Sequence, residues 1–104
     1  MKLYLIVRSD LSVGQQAVQA AHALRAFVEE HPEEDRRWFE KSNTLALLSV
    51  PNEGTIGVIY QRAMELGIPA SVFREPDQGN ALTAIAIGPQ GKRLTKNLPL
   101  ALKS

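Results

Sequence analysis

Hydrophobic positions along the chain repeat with two different periods. Lys2 to Arg8 is a short, nearly continuous apolar run with β-branched and aromatic residues, as expected of a strand covered on both faces. Beyond it the spacing changes to three and four. Val13, Ala17, Ala20, Leu24, Phe27 and Val28 line one stripe of a helix, and Ser12, Gln15, Gln19 and His22 line another. Asp10 or Ser12 can cap this helix, and Pro32 forbids its simple continuation past about His31. The apolar stripe is expected to pack on a sheet, leaving the polar one to meet a ligand.

Residues 32 to 43 are polar and charged apart from Trp38 and Phe39, which are expected to anchor a short helical turn. Thr44 to Val50 is a second apolar strand ended by Pro51. Asn52 can cap a second amphipathic helix through Ile56, Ile59, Tyr60, Ala63 and Leu66, stopped by Gly67 and Pro69. Ala70 to Phe73 and Leu82 to Ile87 are the third and fourth strands, and residues 74 to 80 between them consist of turn-forming residues. The order β-α-β-α-β-β predicts an α/β fold: three layers, with a mixed four-stranded sheet and helices packed on both faces. The strands joined by helices are expected to pair in parallel and the last two to be antiparallel. In such sheets ligands gather beyond the carboxyl ends of parallel strands, which directs attention to Arg8 to Ser12 and the start of the first helix.

At 104 residues the chain has room for one domain, 1–104, so any function must sit on the surface of one fold. The absence of cysteine removes disulfide frameworks, thiolate metal sites and cysteine nucleophiles together. No apolar run approaches the roughly 20 residues of a membrane span, and no cleavable leader is evident, so the expectation is a cytoplasmic protein without membrane contact. The formal net charge of +1 is too balanced for strong non-specific attraction to a nucleic acid, DNA included. Its distribution is uneven. Residues 29 to 40 hold six acids (Glu29, Glu30, Glu33, Glu34, Asp35, Glu40) against Arg36 and Arg37, whereas residues 78 to 104 hold no acid and carry Lys92, Arg93, Lys96 and Lys103. Both stretches are also what ordinary solvated faces look like.

Two imidazoles are available. His22 shares a helical column with Gln15 and Gln19, rising from the Asp10 loop, and could act as a general base toward water; an exposed helix histidine without chemistry fits the same pattern. His31, at a helix end, suits the macrodipole and is given no chemistry. Asp10 could cap the helix or partner an imidazole or a substrate hydroxyl. Thr83 could be an ordinary β-branched strand residue, or could direct its hydroxyl toward the preceding loop. Glu75 and Asp77 could be an acid/base pair, although Pro76 between them equally explains a turn. Gly54-Thr55-Ile56-Gly57 and Gly88-Pro89-Gln90-Gly91 lack the pattern of a phosphate loop, and no ligand set for a metal is apparent.

Three stretches together resemble the type 2 peptidyl-tRNA hydrolases: Val7-Arg8-Ser9-Asp10-Leu11, Gln19-Ala20-Ala21-His22-Ala23 and Thr83-Ala84-Ile85-Ala86-Ile87-Gly88-Pro89. Ala63 to Pro69 is similar to that family's helix end, and the element order agrees over essentially the whole chain. The chain departs from the family in its loop Ser12-Val13-Gly14-Gln15-Gln16, which is shorter and lacks lysine. It departs again at Arg74-Glu75-Pro76-Asp77-Gln78-Gly79, where the family has an Asp-Ala-Gly-Arg-Thr-Gln-like segment.

The resemblance implies hydrolysis of the ester between a peptide and the terminal ribose of tRNA, with no metal or organic cofactor and peptidyl-tRNA as partner. It casts His22 as base, Asp10 as its orienter or a ribose contact, and Thr83 or nearby backbone amides as oxyanion donors. Gln19 would position the ribose with Gln15 in the same column, and Glu75 or Asp77 would stand in for the family's carboxylate. Arg8, Arg74, Lys92, Arg93 and Lys96 would meet phosphates. A homodimer is compatible by analogy. The competing readings are a non-catalytic relative that binds RNA or a protein, and a small-molecule-binding regulatory domain. The latter would need an enclosed apolar pocket beside His22.

Overall fold

The computed structural model describes residues 1–102. Its strands are β1 (Lys2–Arg8), β2 (Thr44–Val50), β3 (Ala70–Glu75) and β4 (Ala81–Ile87), and its helices are α1 (Val13–Glu30), α2 (Pro32–Lys41), α3 (Glu53–Glu65) and α4 (Lys92–Thr95). They form one sheet in the order β2-β1-β4-β3, with β1 and β2 parallel and β4 antiparallel to both its neighbours. The expected mixed four-stranded sheet is thus present, with helices on both faces. The strand that reads as a continuous apolar run, β1, is central, where each face of the strand needs an apolar cover.

Alternation along β1 divides the core. Leu3, Leu5 and Val7 face α1 and α2 with Ala20, Ala23, Phe27 and Trp38, while Tyr4 and Ile6 face Ile56 and Ala63 of α3. On β4 the alternation breaks. Leu82, Ile85 and Ile87 lie on the α3 side and Ala84 and Ala86 on the α1 side, so Leu82 and Ala84, two positions apart, occupy opposite faces. The register shows why: Phe73 pairs with Ala84 but Arg74 pairs with Leu82, leaving Thr83 as the extra residue of a β-bulge. Such an insertion re-aims a side chain, and here the Thr83 hydroxyl bonds Gln19 of α1.

Ser12, rather than Asp10, caps α1. Its hydroxyl oxygen accepts from the Gln15 backbone N–H at 3.2 Å, and the Gln15 side-chain oxygen accepts from the Ser12 N–H at 3.1 Å, completing a capping box. The buried face of α1 is also rotated from the expected stripe. Gln16, Gln19, Ala20, Ala23 and Phe27 are buried, whereas Val13 and Ala17 of that stripe are exposed.

Residues 32–41 form a full helix, since Pro32 at its first position needs no N–H partner and Glu33, Glu34 and Asp35 suit its positive end. Trp38 anchors it, with its indole N–H donating to the Thr44 carbonyl at 2.7 Å; Phe39, the other expected anchor, is 61% exposed. Asn52 caps α3 as read from the sequence, and Gly67 stops it at a φ of 68°, a conformation that favours glycine.

After Gly88 the chain makes a 3₁₀ turn (Pro89–Gly91), then α4, and returns along the free edge of β2. The Ser49 N–H donates to the Pro99 carbonyl at 2.9 Å and the Ala101 N–H to the Leu47 carbonyl at 3.0 Å, covering part of an edge that would otherwise expose unpaired backbone.

Candidate functional site

α1 lies across β3 and β4 and is tied to β3 at both ends. Near its carboxyl end the Ser71 hydroxyl donates to the Glu30 carboxylate at 2.6 Å, and His31 Nε2 donates to the Ala70 carbonyl at 3.1 Å. Nearer its amino end Gln19 Nε2 donates to Glu75 Oε2 at 3.0 Å. The helix therefore runs antiparallel to β3, and His22, one turn beyond Gln19, comes to rest over Phe73. Their rings stack with centroids 4.3 Å apart and planes inclined by 12°.

Beneath His22 is a polar chain. The bulge hydroxyl of Thr83, fully buried, donates to Gln19 Oε1 at 2.6 Å, with the Phe73 carbonyl as a second acceptor at 3.3 Å. Gln19 is 4% exposed and passes the chain to Glu75, whose other oxygen accepts the Asp77 backbone N–H at 3.1 Å. Each of these groups meets a complementary partner, as burial demands. The Gln19 amide, then the Asp77 N–H, then the nearby charge of His22 lower the Glu75 pKa, with desolvation opposing, so Glu75 is an anion at neutral pH. The arrangement presents an imidazole at the surface beside a fixed negative charge. A positioned imidazole of this kind can take a proton from water.

Asp10 is elsewhere engaged. Arg8 binds it through two bonds of 3.0 Å, from Nε to Oδ1 and from Nη2 to Oδ2, and donates from Nη1 to the Leu82 carbonyl at 3.3 Å. Chiefly through the bonds from Arg8, the Asp10 pKa is lowered; reciprocally Asp10 raises that of Arg8. Asp10 is therefore the partner of Arg8 and not the orienter of His22. This pair braces the loop after β1, whose Ser9 N–H also bonds the Val50 carbonyl at 2.8 Å. Gln15 is exposed and occupied with the α1 cap, and Arg74 and Asp77 are exposed beside Glu75.

Lys92 and Lys96 are not brought to His22. With Lys2, Tyr4, Leu48, Leu98 and Leu100 they line a groove on the α3 side of the sheet, at the amino-terminal end of β1, and Arg93 is exposed on the same short helix. The Arg8–Leu82 end, by contrast, carries the Thr83 bulge. Sequence reasoning did not find Phe73 as a neighbour of His22; the signal available was an aromatic residue on the strand just before Arg74-Glu75. Among the described residues no cluster of three or more histidine, aspartate or glutamate side chains is arranged to hold a metal ion.

Comparison with known proteins shows the family to which the chain is related. The family model described as "Peptidyl-tRNA hydrolase PTH2" matches residues 1–104. Proteins named peptidyl-tRNA hydrolase from Aeropyrum pernix and Thermococcus sibiricus are each 32% identical, the matches covering 98% of this chain and 94% and 95% of theirs. One from Methanocaldococcus jannaschii is 29% identical over 86% of this chain and 87% of its own. Among solved structures, a protein of unknown function from an Agrobacterium superposes with a TM-score of 0.67 at 17% identity, covering 95% of this chain and 96% of that one, a likeness of fold alone. With a family match along its entire length and archaeal relatives that it spans almost completely, the chain belongs to the PTH2 family of peptidyl-tRNA hydrolases.

Proposed function

We propose that this chain hydrolyses peptidyl-tRNA, with His22 as the base that activates water against the ester linking a peptide's carboxyl carbon to the terminal ribose. The single observation that carries the mechanism is an exposed imidazole set over a buried, fully paired chain that ends in the anionic Glu75. His22 removes a proton from water as the oxygen attacks the carbonyl carbon, forming a tetrahedral oxyanion. The bond to the ribose oxygen then breaks, and the imidazolium returns the proton to that oxygen, giving free peptide and tRNA. Glu75 supports the positive ring in between and takes the place of the family's carboxylate.

In this reading Gln19 and Thr83 position the site without touching the reacting atoms, because both are buried and their hydrogen bonds are spent. Arg74 supplies a phosphate contact next to Glu75. The surface of Lys92, Arg93 and Lys96 meets the tRNA body away from the ester, and Arg8 and Asp10 hold the rim of the site. The exposed His22 is at odds with an enclosed apolar pocket for a small regulator. On this reading the chain acts in the cytoplasm, where its substrate arises, and the outer edge of β3, the last strand in the sheet order, is where two copies would pair in a homodimer.

The test is release of peptide from purified peptidyl-tRNA by wild type and His22→Ala at two salt concentrations. The expected loss in His22→Ala is roughly 10²–10⁴-fold, the usual contribution of a general base. Binding should weaken with salt as phosphate contacts release counterions. Folded wild-type protein that binds peptidyl-tRNA but releases no peptide would be a non-catalytic relative, and the proposal would fail.

A further inference from the structure

We propose that Phe73 is a positioning residue for His22, fixing the plane of the imidazole through its ring face; this rests on the hydrolase reading above. The two histidines of the chain are held differently. His31 has a ring nitrogen bonded to the Ala70 carbonyl at 3.1 Å, the usual way an imidazole is oriented in a protein. Among the described residues no hydrogen bond holds either ring nitrogen of His22; what touches the ring is Phe73, at 4.3 Å and 12°.

Phe73 is well placed for this work. It is opposite Ala84 at the edge of the bulge, its carbonyl accepts from the Thr83 hydroxyl, and its side chain packs into the core on the α1 side. The same bulge that aims Thr83 at Gln19 thus also anchors the residue beneath His22. A hydrogen-bonded orienter would occupy one nitrogen, whereas a stack fixes the plane and leaves both nitrogens open to water and to the departing ribose oxygen. Offset-stacked aromatic pairs are favourable beyond the area they bury. For an exposed side chain on a helix surface this is the restraint that replaces free rotation.

The experiment compares Phe73→Leu and Phe73→Tyr with wild type in peptidyl-tRNA hydrolysis, separating kcat from KM, and repeats Phe73→Leu in a His22→Ala background. Proton NMR of the His22 ring is recorded alongside. Phe73→Leu should lower kcat by roughly three- to tenfold with KM unchanged, the size expected for loss of one aromatic pair. Phe73→Tyr should restore the rate, and Phe73→Leu should cost nothing further when His22 is already absent. The His22 ring protons should be shifted by the ring current in wild type and Phe73→Tyr, and return to ordinary positions in Phe73→Leu.

A raised KM with unchanged kcat would make Phe73 a substrate contact and overturn the proposal, as would an equal loss in the His22→Ala background. Wild-type turnover with unshifted His22 resonances would reject the stack alone. No turnover with the shift intact would reject the hydrolase reading, and with it any catalytic use of the stack. Phe73→Met, which also lacks the ring, replaces Phe73→Leu should the latter unfold.

Discussion

Replacing Thr83 by valine tests whether the bulge hydroxyl holds the site together. The substitution keeps the β-branched shape and removes one oxygen from a residue with no exposed surface. Two costs follow. The bond from the hydroxyl to Gln19 Oε1 at 2.6 Å is lost, about 0.5–1.5 kcal/mol net for an ordinary hydrogen bond. Gln19 Oε1 is then stranded on a side chain only 4% exposed, and leaving a buried acceptor unpaired costs about 1–3 kcal/mol; these figures overlap, so about 2 kcal/mol is expected in all.

For a domain near 100 residues that is roughly 8–16 °C in Tm, measurable by calorimetry or denaturant titration. Activity should fall too, because an unanchored Gln19 no longer fixes Glu75. Thr83→Ser, which keeps the oxygen, should retain most of the rate. Gln19→Met added to Thr83→Val removes the stranded oxygen and should recover part of the stability without recovering the rate, since Glu75 loses its donor. A Thr83→Val protein within about 0.5 kcal/mol of wild type, with unchanged kcat, would refute the reasoning, since a buried orphaned acceptor cannot be that cheap.

Glu75→Gln should lower kcat by roughly tenfold, the difference between a charge-assisted and a neutral partner, with little change in the far-ultraviolet circular dichroism. Gly91→Ala should destabilise by about 1–3 kcal/mol in urea unfolding, because an added Cβ would sit 2.3 Å from a methyl of the buried Ile87, and that methyl cannot move without repacking the core. Asp10 has a folded-state pKa lowered by Arg8, so its contribution is present above the unfolded value and lost as pH falls through the folded one. Stability measured from pH 6 downward should therefore fall on the acid side below the ordinary aspartate range, and Asp10→Asn should flatten that part of the curve. The effect should be under about 1 kcal/mol, since the Asp10 carboxylate is 44% exposed.

The elements with strong local chemistry were legible in the sequence. The Lys2 to Arg8 run reads as a strand covered on both faces, and Asn52 and Gly67 bracket α3 by mechanisms that act within a few residues. What escaped the sequence depends on partners distant along the chain. Hydropathy assigned Val13 and Ala17 to the core and Gln19 to the surface. In the structure Gln19 is buried because Thr83 and Glu75, 64 and 56 residues away, satisfy its amide; Gln16 is buried with only half its amide paired, its N–H donating to the Leu11 carbonyl while its Oε1 has no partner. A glutamine with waiting partners is cheap to bury, but its own letter does not announce them. The bulge was hidden for a related reason: Leu82-Thr83-Ala84 reads as an ordinary alternating strand, and only the pairing with β3 reveals the extra residue. Nor does the segment after Pro99 have a period, since it earns its place through two backbone bonds to β2.

These missed features form one causal sequence. β4 is a central strand covered on both faces, so a hydroxyl turned inward by a bulge needs a buried acceptor, and the closer of its two lies on the helix above it. Gln19 is that acceptor, and once its oxygen is taken its amide N–H needs an acceptor in turn, which Glu75 supplies at the end of β3. The Gln19 amide and the Asp77 N–H both favour the charged form of Glu75 and hold its pKa down. His22 follows one turn along α1 and so cannot avoid a site next to that charge. This explains how the chain keeps a carboxylate beside His22 although the segment containing it differs from its family's usual form: the position is set by polar satisfaction beneath the helix, and Glu75 has the reach to meet it. The shorter, lysine-free loop before α1 is then free to do something else, and in this chain Ser12 and Gln15 spend it on capping the helix that carries both Gln19 and His22.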